Sequence, residues 1–182
     1  MAFLSGRGAL IAALVVALRC PFADGAIGPL TEPQAKASLL FNLPAFVEWP
    51  RNVLGPGDRL NICVAGDLDV LAALRPYEGR QLDGRTVTSR AVEDSEDPAG
   101  CHVLFLSASR EHIAMLHRLA DRPVITVGDA PEFARQGGAL RVFFEESRLR
   151  FEINTTTVAR TRLRVSSKML GLARLVRSDD EP

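Results

Sequence analysis

Few residues of this 182-residue chain stand at a spacing that supports catalysis. The sequence contains no GxSxG nucleophile turn, no HExxH metal-binding helix and no GxxxxGK[ST] phosphate loop. Ser166 and Lys168 come close to the SxxK nucleophile pattern, but the serine stands one position too near the lysine. We therefore predict that the protein is not an enzyme, with a hydrolase as the minority alternative.

The histidines and cysteines do not form a metal-binding pattern. His112 and His117 are five residues apart, whereas two side chains on one helical face are three or four apart, so we place both at surface positions of a helix. A zinc site needs about four ligands, and Cys63, Cys101 and His102 supply three without any CxxC or HxxxH spacing. The prediction is that the protein holds neither a metal nor a cofactor.

The N-terminus has the pattern of a secretory signal peptide. Arg7 lies in a short basic start, residues 9–18 are all apolar, and residues 23–26 (Ala-Asp-Gly-Ala) allow cleavage after Gly25. Ten apolar residues are too few for a spanning helix, which needs about 20. Cys20 raises the alternative of a lipoprotein signal, but Arg19 directly before it argues against lipidation. We predict cleavage, export to the periplasm and a mature domain of residues 26–182.

Removal of the signal peptide leaves two cysteines, Cys63 and Cys101, in an exported chain. An oxidising compartment favours a disulfide between them, and two buried thiols are the alternative. Loss of residues 1–25 also leaves 20 basic and 21 acidic side chains. Such a balance gives no electrostatic reason to expect nucleic acid or an anionic membrane as a partner.

The apolar pattern predicts a single α/β domain with a mixed, mostly parallel sheet flanked by helices. Thr31 is placed to cap a first helix, which Pro44 should kink or end early. The remaining segments are four strands (60–65, 85–92, 102–107 and 123–127), helices at 69–74 and 111–119, a hairpin (142–145 and 149–153), and two C-terminal helices at 154–159 and 166–176. In this scheme Asn154 caps the first of the two C-terminal helices.

Two acidic residues follow predicted strands. Asp67 and Asp129 each come directly after a glycine at the carboxyl end of a strand, where open α/β sheets place ligand crevices. We therefore treat the pair as a candidate ligand crevice. Turn and helix-cap chemistry is the simpler alternative for both aspartates.

Basic and apolar residues alternate in the second hairpin strand and continue beyond it. Arg148, Arg150 and Phe151, followed by Arg160 and Arg164, combine the residue types that protein interfaces use as anchors. We interpret these five residues as a candidate partner-binding surface. The alternative is a solvated strand face with Phe151 in the core.

Several short segments together resemble the YfiR-like family of small exported bacterial proteins. The similarity runs from about residue 34 to residue 176 and is carried by KA (36–37), FVEWP (46–50), ICVAGD (62–67), GRTV (84–87), CHVLFLS (101–107), VGD (127–129), GG (137–138), RFEIN (150–154) and SSKML (166–170). Members usually carry a helix-compatible residue where this chain has Pro44.

The resemblance implies a periplasmic protein that represses an inner-membrane diguanylate cyclase by binding its periplasmic sensor region. It also implies that an outer-membrane lipoprotein sequesters the repressor, and that Cys63 and Cys101 match a family disulfide. A histidine kinase with a periplasmic sensor is a related partner, and the residues leave open whether the protein works as a homodimer. A periplasmic small-ligand sensor is the alternative function.

Overall fold

The computed structural model describes residues 30–178, so the predicted signal peptide and Cys20 lie outside the described residues. This part of the chain contains ten strands: β1 (Val47–Glu48), β2 (Arg59–Ala65), β3 (Gln81–Leu82), β4 (Arg85–Ala91), β5 (Val103–Leu106), β6 (Ile125–Gly128), β7 (Leu140–Glu145), β8 (Arg148–Asn154), β9 (Arg164–Val165) and β10 (Arg174–Val176). It also contains five α-helices: α1 (Glu32–Asn42), α2 (Leu68–Leu74), α3 (Arg110–Arg118), α4 (Thr155–Arg160) and α5 (Ser167–Leu170).

Eight of these strands form one mixed sheet in the order β10-β8-β7-β6-β5-β2-β4-β3, and β1 pairs with β9 in a separate ribbon. Five neighbouring strands of this sheet are parallel to one another: β4, β2, β5, β6 and β7. The β7–β8 and β3–β4 pairs are antiparallel. The predicted α/β fold with a mostly parallel sheet and a C-terminal hairpin is confirmed.

Helices cover both faces of the parallel strands because those strands are apolar on both sides. One buried cluster joins α1 and α2 to the sheet through Leu40, Val70 and Phe105. A second cluster, on the opposite face, joins α3 to the sheet through Met115 and Leu104. After β2, the chain forms β4 against one edge of β2 and then β5 against its other edge. The direction of the strand order therefore reverses between β2 and β5, and the carboxyl ends of these two strands form the topological switch point of the sheet.

Local sequence signals set the helix ends as predicted in three places. Thr31 caps α1 in a capping box with Gln34, and α1 gives way at Leu43 to a 3₁₀ turn that contains Pro44. Asn154 caps α4, its side chain accepting a hydrogen bond from the Thr157 N–H at 3.0 Å. Each cap satisfies an amide that the first helical turn would leave without a partner.

The prediction of one helix over residues 166–176 is wrong in its second half. The helix α5 ends at Leu170, and residues 174–176 form β10, which pairs in parallel with the end of β8. Leu175 lies opposite Ile153 in that pairing. The edge of the sheet therefore decides the conformation of β10, because tertiary pairing overrides the local helical pattern.

Candidate functional site

The β7–β8 hairpin extends past its neighbouring strands at the carboxyl edge of the parallel sheet. The strand β6 pairs only with Leu140 and Arg141 at the start of β7. On the other side, β10 pairs only with the last three residues of β8, from Glu152 onward. Because β7 continues for four residues beyond Arg141, the hairpin projects by about 13 Å at the ordinary rise per residue.

One face of this hairpin is rich in arginine. The register places alternate residues of both strands on that face, together with one residue of β10. We call this surface the arginine face, and its members are Arg141, Phe143, Glu145, Arg148, Arg150, Glu152 and Arg174. Four arginines stand against two glutamates, so the face carries a surplus of two positive charges on a chain whose net charge is zero.

Ion pairs and an aromatic ring order the centre of the arginine face. Glu152 accepts hydrogen bonds from Arg141 at 3.3 Å and from Arg174 at 3.2 Å. Both guanidinium groups also lie over the Phe143 ring, at 4.5 and 5.6 Å from its centroid. The Nε of Arg141 is buried without a hydrogen-bond partner among the described residues. The face therefore combines arginines and a partly exposed aromatic ring, which are residue types enriched in protein interfaces.

The predicted partner-binding residues divide among four locations. Arg148 and Arg150 are exposed on the arginine face. Phe151 lies on the opposite face of the hairpin, half-buried against the main core. Arg160 lines a cleft beside α3, and Arg164 lines a different cleft beside β1. Only the first two therefore share a surface.

The two candidate crevice aspartates lie at carboxyl ends of strands and have structural partners there. Asp67 caps α2, with its Oδ1 accepting hydrogen bonds from the N–H groups of Asp69 and Val70 at 3.1 and 2.9 Å. Asp129 accepts a hydrogen bond of 2.8 Å from Nζ of the buried Lys36. Both aspartates therefore stabilise the junctions between helices and sheet.

Lys36 remains charged in spite of its burial. Burial alone would lower its pKa, but hydrogen bonds and charge attraction from Asp129 and Glu32 outweigh that effect and raise the pKa above its usual value. The Nζ–carboxylate distances are 2.8 Å to Asp129 and 2.6 Å to Glu32. The ion pair with Asp129 thus fastens the buried side of α1 to the end of β6.

A separate cleft of about 440 Å³ opens at the carboxyl ends of β5 and β6. Its walls are mainly apolar and include Ala108, Ile113, Ala130 and Phe133, while neither Asp67 nor Asp129 lines it. His112 borders the cleft. A cleft of this size and lining suits a small ligand.

His112 is buried, so the prediction that it lies at a surface position is wrong, whereas His117 is exposed as predicted. The ring of His112 lies 2.5 Å from the Ser107 carbonyl oxygen and 3.0 Å from an Asp94 carboxylate oxygen. Neither ring nitrogen contacts a serine hydroxyl; the Ser109 hydroxyl instead accepts a hydrogen bond from the His112 N–H. The hydrogen bonds from His112 to Ser107 and Asp94 therefore fasten the switch point of the sheet.

The sequence patterns identified only two of the seven members of the arginine face, Arg148 and Arg150, and missed the other five. Alternation along residues 141–145 could have placed Arg141 and Phe143 beside Arg150, since the hairpin itself was predicted. Arg174 could not have been found in this way, because its place depends on β10, which was expected to be helical.

Within residues 30–178, no helix is long and apolar enough to cross a membrane, and no group of three or more His, Cys, Asp or Glu side chains is arranged to hold a metal ion. Cys63 and Cys101 form a disulfide that ties β2 to the residue two positions before β5, with a Cα–Cα distance of 5.9 Å. A comparison with known families matches residues 33–174 to the YfiR/HmsC-like description. Since this match covers most of the chain, the protein belongs to the YfiR/HmsC-like family.

Proposed function

We propose that this protein is a periplasmic regulatory binding protein that represses an inner-membrane diguanylate cyclase by direct contact with its periplasmic region. Family membership supports a periplasmic regulator of this kind. The observation that carries the proposal is the projecting hairpin with its arginine face, which offers fixed cations and an aromatic ring at the carboxyl edge of the sheet. A histidine kinase with a periplasmic sensor is a partner of the same type.

Regulation by this route works through occupancy. Binding shifts the cyclase toward its inactive conformation only by the difference in affinity for the two conformations. To move a population from about 99% active to about 99% inactive, the repressor must bind the inactive form roughly 10⁴-fold more tightly. An outer-membrane lipoprotein that competes for the repressor would relieve the repression. Such a preference requires an extensive complementary interface, to which the arginine face contributes its charge.

Charge reversal on the arginine face tests this proposal. Arg148→Glu combined with Arg150→Glu changes two exposed side chains, of which Arg148 has no ion pair among the described residues. We expect unchanged folding and loss of repression, measured as raised cyclic-di-GMP when the variant replaces the wild-type protein. Arg75→Glu is the matched control, because Arg75 is also exposed and lies at the end of α2, far along the sheet from the hairpin.

The two variants give opposite expectations. Arg75→Glu should repress as well as the wild-type protein. If the doubly reversed hairpin represses equally well, the arginine face is not the contact surface. Loss of repression in both variants would mean that general charge, not this surface, controls binding.

A small-ligand sensor is the second candidate function, and the apolar cleft beside His112 is the observation that favours it. A ligand at about 100 times its dissociation constant stabilises a protein by ~2.7 kcal/mol. A panel of nucleotides and metabolites should therefore contain a compound that raises the melting temperature. Ala130→Phe, which fills the cleft, should abolish that shift.

A further inference from the structure

A second group of arginines lies in a cleft at the other end of the sheet from the hairpin. The cleft has a volume of about 330 Å³ and is lined by Glu48, Trp49, Pro50, Arg51, Arg162 and Arg164. The contacts of Trp49 show where this cleft lies. The indole N–H donates a hydrogen bond to the carbonyl oxygen of Pro123, which precedes β6. The indole ring packs edge-on against His102, which precedes β5. The cleft therefore adjoins the amino-terminal ends of the parallel strands.

The three arginines have no ionic partner within residues 30–178. Arg51, Arg162 and Arg164 are all exposed, and none of them forms an ion pair or side-chain hydrogen bond with a described residue. Glu48 is the one carboxylate that lines the cleft. The lining thus carries three positive charges and one negative charge, a surplus of two.

The backbone beneath these side chains is held firmly in place. Glu48 lies opposite Arg164 in the β1–β9 ribbon, and the Ser166 N–H extends that ribbon by donating to the Phe46 carbonyl oxygen at 2.8 Å. The neighbours of Arg162 are both buried: Thr161 is 2% exposed and Leu163 is 4% exposed. The backbone positions of Arg162 and Arg164 relative to Glu48 are therefore fixed by the ribbon and by the buried neighbours of Arg162.

Arg162 itself has a left-handed backbone, with φ at +60°. Residues other than glycine and asparagine adopt this conformation at a cost of roughly 1–2 kcal/mol. Arg162 directly follows Thr161, the C-cap of α4, a position at which helices commonly end in this conformation, and its N–H donates to the Ala159 carbonyl oxygen at 3.3 Å. The helix end thus fixes the backbone from which the exposed Arg162 side chain lines the cleft.

We propose that this cleft binds the phosphate group of a small phosphate monoester. A monoester carries about −1.5 to −2 charges at pH 7, which matches the surplus of two on the lining. Guanidinium groups donate paired hydrogen bonds to phosphate oxygens, and three arginines line the cleft. The half-buried Trp49 provides an apolar wall for the organic part of the ester. The small volume limits the ligand to a single head group.

Calorimetric titration with inorganic phosphate and with phenyl phosphate tests the proposal. We expect saturable binding of both probes at low ionic strength, tighter for phenyl phosphate, and weaker as sodium chloride is added. Acetate, with one charge, should bind at least tenfold more weakly than phosphate. Absence of saturable phosphate binding would overturn the proposal.

Arg162→Gly separates ligand binding from folding. Glycine adopts a positive φ without strain, so this variant should be at least as stable as the wild-type protein while its dissociation constant for phenyl phosphate rises at least tenfold. Arg164→Ala should weaken binding to a similar degree. Arg75→Ala, the matched control on an exposed site elsewhere, should leave binding unchanged. Equal binding by Arg162→Gly and wild type would contradict the assignment.

Vesicles distinguish a soluble ester from a lipid head group as the source of the phosphate. Phosphatidylcholine vesicles containing phosphatidic acid should not sediment the protein in the presence of saturating phenyl phosphate, and should sediment it weakly in its absence. Strong sedimentation that phenyl phosphate does not reverse would overturn the proposal of a small soluble ligand. All of these measurements use the purified exported chain and do not depend on the cyclase.

Discussion

The Cys63–Cys101 disulfide cross-links the two ends of a long segment of the chain. The loss of folding stability on its removal can be predicted from the length of that segment. The bond joins β2 to the residue two positions before β5 across a sequence separation of 38, and the enclosed segment contains α2, β3 and β4. Because β2 and β5 are already paired in the folded state, the bond acts mainly by restricting the unfolded chain. The chain-entropy relation gives about 4 kcal/mol for a loop of this length, as an upper expectation.

The perturbation is the double variant Cys63→Ala, Cys101→Ala. Both cysteines are buried, so alanine avoids placing a new polar group in the interior. We expect the free energy of unfolding to fall by about 2–4 kcal/mol, which corresponds to a melting temperature lower by very roughly 4–16 °C for a domain of this size. The variant should still fold, since the described chain builds two apolar clusters of its own.

Urea unfolding followed by circular dichroism is the assay. The variant should show a lower midpoint and a larger m-value, because an unfolded chain without the cross-link exposes more surface. Mass spectrometry of wild-type protein from the periplasm should find no free thiol at Cys63 or Cys101. An unchanged midpoint and m-value, or two free thiols in the exported protein, would refute this reasoning.

Three further predictions concern single side chains. Lys36→Met should lower the free energy of unfolding by about 3 kcal/mol in urea unfolding, because Asp129 loses its partner, and Lys36→Met with Asp129→Leu should recover part of this loss. Burial lowers the pKa of His102, so the folded state binds fewer protons than the unfolded state, and stability should be full above about pH 6.5 and fall below it. The urea midpoint of wild type should drop more between pH 7.5 and 5 than that of His102→Asn, and an equal drop would contradict the assignment. Gly66→Ala should lower the melting temperature, because φ is +79° and a Cβ would collide with the His112 ring, and an unchanged melting temperature would contradict this packing.

Local signals in the sequence were enough to predict the first helix, the central strands and the hairpin. Thr31, Pro44 and Asn154 act on the chain within a few residues, through caps and the missing proline amide, so their effects can be read without knowledge of the fold. The alternation in β8 likewise indicated which residues share a face of the hairpin.

Two of the missed features depend on distant contacts. Arg174 joins the arginine face only because β10 pairs with the edge of β8. The burial of His112 depends on the Gly66 turn, where the absence of a side chain leaves room for the imidazole. Spacing alone showed that His112 and His117 lie on different helical faces, but it could not show which of those faces meets the sheet.

The location of the two aspartates was predicted, while their partners were not. The pattern of strand, glycine and aspartate placed Asp67 and Asp129 at carboxyl ends of strands, where both are found. Lys36 lies 93 residues before Asp129 in the sequence, so no local pattern links the two. A pairing across such a distance is visible only when the first helix has been packed against the sheet.

Cyclic-di-GMP in cells that lack the gene tests the central claim most directly, because repression by occupancy requires the protein to be in the same compartment as the sensor region. Deletion should raise cyclic-di-GMP and surface attachment, and the full chain should restore the low level. The chain without residues 1–25, expressed in the cytoplasm, should fail to restore it. Unchanged cyclic-di-GMP after deletion in cells where the protein is abundant, or equal repression by the cytoplasmic form, would contradict the proposed function.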